Sequence, residues 1–219
     1  MSFYAHLQEV TSSERRSLLT TPIVVAAFEG RVTREHYQCF LARAFHHVKH
    51  TPSLLMACGA RLHDTHQWLR EEIAHYIDEE MGHHEWVLDD IAASGGDAEA
   101  VRASEADFDT AVMVAYAYDT VMRRNPVGFF GMVYVLEGTS VSLATDVAAM
   151  LQKTLDLPPR AFTYLTSHGA LDVEHISHFE RLVNRLDNPD DRDAVEHAAK
   201  AFFRLYGNVL RGVDEAVEA

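Results

Sequence analysis

The chain has 219 residues, with 19 Lys and Arg against 33 Asp and Glu, so its net charge is −14 with histidine neutral. Nucleic acids and anionic membrane surfaces bind clustered Lys and Arg, so this charge argues against both as partners. Hydrophobic residues make up 47% and charged residues 24%, which is typical of a globular protein rather than a disordered one. We therefore expect a single domain, 1–219, that binds small molecules or proteins.

Apolar residues recur at helical spacing along the chain, and prolines and glycines stand where helices should end. The predicted helices cover about 2–19, 22–30, 33–58, 66–93, 104–124, 126–153, 160–187 and 190–217. Pro52 is expected to kink or break the third helix. Gly30 is placed to end a helix and Asn125-Pro126 to begin one. This pattern predicts an all-α fold, a single bundle of seven to eight helices.

The compartment is inferred from what the sequence lacks. The N-terminus has no basic stretch followed by an apolar one, so we expect no secretory signal. Cys39 and Cys58 lack the spacing of a zinc site or a disulfide framework, which favours a cytoplasmic location. The stretch 125–145 is long enough to span a bilayer. Because it carries Glu137 near its centre and three glycines, we interpret it as a buried core helix.

The first candidate metal-binding group is the pair Glu80 and His83, in a Glu-x-x-His spacing. On one helix this spacing places a carboxylate beside an imidazole, as in the sites of carboxylate-bridged di-iron proteins. The alternative is a chance pair on a solvated face, because 78–85 is rich in both residue types. Other registers and ligands stay open: Glu79 with His83, Glu80 with His84, and the spare histidines His75 and His178.

The second candidate group is His168, Asp172 and His175. At 100° per residue, the three positions fall within a sector of about 60° on one helix face. Imidazole and carboxylate donors together favour iron, manganese or zinc over calcium or magnesium. A polar, solvated face is the alternative interpretation.

The third candidate is Glu137, the only charged residue between Arg124 and Asp146. An ionised carboxylate in such apolar surroundings is costly unless it is paired, hydrogen-bonded or bound to a metal. A salt bridge to an arginine of another helix, or a protonated side chain, is the alternative. Taken together, the three groups supply three carboxylates and three imidazoles, enough ligands for two metal ions.

In this order of groups the chain resembles the haem-oxygenase-like di-iron oxidases and oxygenases, relatives of haem oxygenase, TenA-type thiaminase and pyrroloquinoline-quinone synthase. The resemblance spans about residues 21–203. It implies a haem-oxygenase/TenA-like bundle, a homodimer, and a site that holds two Fe²⁺ ions and reacts with O2, with manganese or zinc as alternative occupants. The catalytic metal ligands it implies are Glu80, His83, Glu137, His168, Asp172 and His175.

The implied site also suggests a function. Two Fe²⁺ ions and three carboxylates, with neutral histidines, leave a charge of about +1, which favours an anionic ligand. We therefore predict a non-haem di-iron oxidoreductase that oxidises a small, carboxylate-bearing substrate such as an amino acid or fatty acid. The alternatives are a TenA-like, quinone-synthase-like or haem-binding enzyme, or a non-catalytic metal-binding regulatory bundle. A haem-binding enzyme of this kind would need an axial histidine on the first helix, where His6 is the only histidine.

Pocket residues are proposed from helical spacing alone. We expect the histidine cluster His46, His47 and His50 to line a pocket or lie at the surface rather than to bind a second metal, because no carboxylate accompanies it. Candidate neighbours of the ligands are Met81, Trp86, Tyr134, Leu171, Phe179, Phe203 and Tyr206. Ordinary core packing is the alternative for each of these side chains.

Overall fold

The computed structural model describes residues 1–218, apart from the side chains of residues 168–174 and 218. In this part of the chain the secondary structure is helical, as predicted. The α-helices are α1 Phe3–Val10, α2 Ser12–Leu19, α3 Pro22–Phe28, α4 Arg34–Val48, α5 Thr51–Arg61, α6 Gln67–Glu80, α7 His83–Ala93, α8 Ala98–Ala103, α9 Phe108–Arg123, α10 Phe129–Leu155, α11 Thr163–Asn184 and α12 Pro189–Glu218. Short 3₁₀ turns lie at Asp64–His66, Pro126–Gly128 and Pro159–Phe162.

Three of the predicted helices are each divided in two, which explains why the described chain has more helices than expected. The first breaks at Thr11, whose hydroxyl donates to the carbonyl oxygen of Leu7 at 2.7 Å. The third breaks just before Pro52, because proline cannot continue the hydrogen-bond ladder of α4. The fourth breaks at Gly82, which has a φ of +91° that glycine adopts without strain. The short helix α8 was not predicted.

Helix α10 lies at the centre of the bundle and packs mainly against α11 and α12. Together with the turn before it, Pro126–Leu155 is long and apolar enough to cross a membrane, with a mean hydropathy of 1.4, and 61% of that apolar window is buried inside the protein. This burial fits the interpretation of the segment as a buried core helix, made from the sequence.

The tightest crossing of α10 and α12 is at Gly131. A Cβ atom at this position would lie 2.5 Å from the backbone nitrogen of Ala199 and 2.7 Å from the carbonyl oxygen of Val195. Farther along α10, a Cβ atom on Gly138 would have no neighbour within 4 Å. Only a glycine at position 131 therefore lets the two backbones approach this closely.

We expect a glycine-to-alanine substitution to have opposite effects on stability at positions 131 and 138 of α10, because their surroundings differ. We expect Gly131→Ala to lower the free energy of unfolding by about 1–3 kcal/mol, because neither backbone can move aside cheaply. Gly138→Ala should raise it by about 0.5–1 kcal/mol, since alanine is the better residue within a helix. Urea unfolding of both variants measures the difference, and a stabilised Gly131→Ala protein would contradict the close crossing.

Candidate metal centre and adjoining cavity

The structure brings Glu80 and His83 together, although not on one helix. Glu80 is the last residue of α6 and His83 the first of α7. Glu80 Oε2 lies 3.2 Å from His83 Nδ1, and the two side chains are only 11% and 4% exposed. The expectation of a single helix is wrong because the left-handed turn at Gly82 separates α6 from α7. The ring of His83 also stacks on Trp86, with a centroid distance of 4.1 Å, which holds its plane.

A second cluster forms around His175 on α11, where three helices meet. His175 Nδ1 lies 4.0 Å from Oε1 of Glu137 on α10. Its Nε2 lies 3.3 Å from Oε2 of Glu79 on α6. The side chains of His175 and Glu137 are 8% and 10% exposed, so this contact is buried. His168 and Asp172, the other two candidates on α11, lie outside the residues whose side chains are described.

The donor chemistry and spacing of the described residues fit iron. Two donors bound to one ion through bonds of about 2.1 Å can lie at most about 4.2 Å apart. The Glu80–His83 and Glu137–His175 contacts, at 3.2 and 4.0 Å, fall within that limit. Among the described side chains, no three His, Cys, Asp or Glu residues converge into a complete site. The described part of the chain therefore supplies pairs of donors, to which further ligands must be added.

The spare candidates from the sequence have partners outside the Glu80–His83 pair. The contacts are His75 Nε2 to Glu79 Oε1 at 3.2 Å, His84 Nε2 to Glu85 Oε1 at 3.2 Å, and His178 Nε2 to Glu72 Oε2 at 3.0 Å. Glu79 therefore contacts His175 and His75, whereas the residue that contacts His83 is Glu80.

A cavity of about 170 Å³ adjoins the candidate ligands, and the carboxylates of Glu80 and Glu137 form part of its wall. Most of the lining is aliphatic or aromatic, for example Val24, Leu55, Met132, Leu143, Leu165 and Leu210. It comes from seven helices, α3, α4, α5, α6, α10, α11 and α12. The residues lining this cavity include no Lys or Arg. It is therefore a largely apolar space whose wall holds two carboxylates and the imidazoles of His36 and His47, but no Lys or Arg.

The predicted histidine cluster does not form a metal site in the described structure. His47 lines the cavity, while His46 Nε2 lies 3.0 Å from the hydroxyl of Ser104. His50 Nδ1 contacts the hydroxyl of Tyr118 at 3.2 Å. Only His47 therefore meets the expectation of pocket lining, since His46 is buried against Ser104 and belongs neither to the cavity lining nor to the surface.

The candidate pocket residues divide into two groups. Tyr206 lines the cavity and Trp86 packs on His83. Tyr134 instead packs on Phe179 and Phe203, with centroid distances of 5.8 and 5.9 Å, as ordinary core. Met81 is 56% exposed and was wrongly proposed, since it lies in the turn between α6 and α7. Leu171 is outside the described side chains.

The two cysteines and His6, the histidine of the haem-binding alternative, do not line this cavity. Cys58 is buried and donates to the carbonyl oxygen of Pro126 at 3.2 Å, and burial raises the pKa of its thiol to about 12. Neither Cys58 nor Cys39 is among the residues lining the cavity. His6 is paired with Glu196 at 3.0 Å and does not line it either.

Asp90 holds the start of α11 and was not among the predicted site residues. This carboxylate is fully buried on α7; its Oδ1 accepts the backbone N–H of Thr163 at 2.9 Å, and its Oδ2 accepts that of Tyr164 at 2.8 Å. Burial raises the pKa of Asp90 to about 6, and the two N–H bonds oppose that rise. A signal was present, because Asp90 lies seven residues after His83 and so on the same face of α7.

Comparison with solved structures identifies the class of fold. A Shewanella denitrificans domain with a heme oxygenase-like fold superimposes with a TM-score of 0.90 at 24% identity, covering 100% of this chain and 94% of that chain. A TenA homologue from P. horikoshii superimposes with a TM-score of 0.80 at 9% identity, covering 97% of this chain and 98% of that chain. Heme oxygenase-1 from Synechocystis, in complex with heme, superimposes with a TM-score of 0.74 at 12% identity, covering 100% of this chain and 96% of that chain. The chain therefore has the haem-oxygenase-like helical fold.

The family follows from the sequence itself. Residues 38–207 match the model of a family described as iron-containing redox enzymes, so the chain belongs to that family. No curated protein matches the chain significantly. The resemblance drawn from the ligand pattern is thereby confirmed at the level of fold and family.

Proposed function

We propose that the chain is a non-haem di-iron oxidase or oxygenase that uses O2 to oxidise a small substrate with an apolar body and an anionic head, such as a carboxylate. One observation carries the proposal. Two buried carboxylate–imidazole pairs, Glu80 with His83 and Glu137 with His175, adjoin one largely apolar cavity through their carboxylates. Membership of an iron-containing redox family supports the choice of metal.

The proposed ligands are those implied by the sequence: Glu80, His83, Glu137, His168, Asp172 and His175. Bound iron supplies the electrons that activate O2. The chain positions the donors, because both described histidines are held by neighbours on other segments and are nearly buried. The same burial limits the access of water to the site, which strengthens electrostatic interactions there.

The cavity indicates the kind of substrate. Aliphatic and aromatic side chains that line it gain by burying an alkyl or aryl group, so a fatty acid fits better than a polar amino acid. An anionic head finds no Lys or Arg in the cavity lining, so the metal ions would be its main attractive charge. We propose that the carboxylate faces the metal ligands and the apolar body extends along α10. As part of the same proposal, the enzyme works in the cytoplasm as a homodimer, without a nucleic-acid or membrane partner.

The experiment that tests the proposal is iron stoichiometry after anaerobic Fe²⁺ loading and desalting. We expect about two irons per chain in the parent, since the six proposed ligands suffice for two ions. Glu137→Ala and His175→Ala should lose iron while keeping their helical circular dichroism, and a visible absorbance band should appear when O2 is added to the loaded parent. His6→Ala is the control and should keep both irons, because His6 lies at Glu196.

Two results would contradict the proposal. A folded parent that retains no iron would remove the di-iron function. Haem binding by the parent that is lost in the His6→Ala variant would indicate a haem-dependent function in place of the di-iron function.

A further inference from the structure

Glu79 on α6 joins two histidines through its two carboxylate oxygens. Oε2 lies 3.3 Å from His175 Nε2 on α11. Oε1 lies 3.2 Å from His75 Nε2, one turn earlier on α6. His75 is 58% exposed and His175 only 8%, so the carboxylate lies between the surface and the candidate metal centre. Glu79 is the residue next to the proposed ligand Glu80, yet its contacts are with different histidines.

The contact with His175 has a chemical consequence. A neutral imidazole carries one N–H donor, and its other ring nitrogen is an acceptor with a free lone pair. A carboxylate beside Nε2 favours the tautomer in which Nε2 carries the proton and donates it. Nδ1 then has the lone pair, and Nδ1 is the atom that faces Glu137 at 4.0 Å.

We propose that Glu79 is a positioning residue that fixes the tautomer and ring orientation of His175, so that Nδ1 is the atom available to a metal. Histidines that bind metals usually donate their second N–H to such a group, and the loss of that group weakens metal binding. His75 holds the other oxygen of Glu79, which orients the carboxylate toward α11. The metal-binding part of this inference rests on the proposed function, whereas the tautomer is a property of the metal-free protein.

The chain offers a matched control in Glu72, also on α6. Its Oε2 lies 3.0 Å from Nε2 of His178 on α11, and its Oε1 lies 3.2 Å from Nη1 of Arg185. Glu72 therefore makes the same kind of contact between the same two helices, with a histidine that is outside the proposed ligand set. Replacing either glutamate by leucine removes one such contact, and only the Glu79 variant should affect the metal centre.

The first test uses the metal-free protein and long-range ¹⁵N–¹H NMR of the histidine rings. We expect His175 to be protonated at Nε2 in the parent and in Glu72→Leu, and to become a mixture of both tautomers in Glu79→Leu. Protonation at Nδ1 in the parent, or an unchanged tautomer in Glu79→Leu, would overturn the inference. His175→Gln identifies the resonance.

The second test measures Fe²⁺ affinity anaerobically, by competition with a chelator of known affinity. Glu79→Leu should bind iron about 10–100-fold more weakly with unchanged stoichiometry, while Glu72→Leu should match the parent. A lost equivalent of iron would make Glu79 a ligand and overturn the positioning role, as would an unchanged affinity. If the parent binds no iron but shows the expected tautomer change, the proposed function fails while the role of Glu79 in fixing the tautomer of His175 stands.

Discussion

Ala144→Phe is expected to raise the KM for an alkyl carboxylate by up to about 100-fold while both irons stay bound. Ala144 lies on α10, two turns after Glu137, and is a buried part of the cavity wall. A phenyl ring there would occupy much of the 170 Å³ cavity. Overfilling a packed site costs about 1–3 kcal/mol, and each 1.4 kcal/mol corresponds to about a tenfold change in binding.

The measurement is substrate-dependent O2 uptake with straight-chain carboxylates of increasing length. Ala144→Leu, with a smaller addition, should accept short acids and reject long ones, which would show that the chain enters this cavity. Ala149→Phe carries the same change at an exposed position of α10 and should behave like the parent. Equal activity of the two phenylalanine variants would show that the substrate binds elsewhere, and loss of iron in Ala144→Phe would show that the cavity and metal centre are not separable.

Helical periodicity predicted the fold class, but not where the longer helices break. Apolar residues at 3.6-residue spacing and the prolines at the starts of α3 and α12 mark those helices directly. The breaks at Thr11 and Gly82 carry weaker local signals, because threonine and glycine are both tolerated inside helices at a modest cost. Which of them ends a helix depends on the packing of the segments on either side, and that packing is set by residues far away in the sequence.

The candidate site shows the same division between local and long-range information. The Glu-x-x-His spacing correctly predicted that Glu80 and His83 lie in contact, although a turn and not a helix joins them. Glu137 was singled out because it is the only charged residue between Arg124 and Asp146, and its side chain is buried. The contact between Glu79 and His175 joins α6 to α11 across almost a hundred residues, and no local pattern encodes it. The cavity wall is likewise assembled from seven separate helices, so its shape could not be predicted from any one segment.

Asp90→Asn is expected to lower the free energy of unfolding at pH 7.5 by about 1–3 kcal/mol. Asp90 is fully buried and accepts the backbone N–H groups of Thr163 and Tyr164, at the start of the helix that carries His175. The amide of asparagine offers one acceptor and would turn an N–H donor toward the other backbone N–H. That leaves a buried donor without a partner, which costs about 1–3 kcal/mol, whereas a protonated aspartate keeps an acceptor lone pair on each oxygen.

The cost of Asp90→Asn should also increase toward acid. Burial raises the pKa of Asp90 from 3.8 to about 6 in the folded protein. The folded parent therefore binds its proton more tightly than the unfolded chain, so the stability contributed by this group is full below about pH 4 and is lost as the pH rises through 6. Asparagine does not titrate, so the parent should gain about 1.4 kcal/mol over the variant between pH 7.5 and pH 5. Urea unfolding at both pH values measures this, with the exposed neighbour Asp89→Asn as a control that should stay within about 0.5 kcal/mol at each pH. A cost that is larger at pH 7.5 than at pH 5 would mean that the two N–H bonds outweigh burial and hold the pKa of Asp90 below its ordinary value.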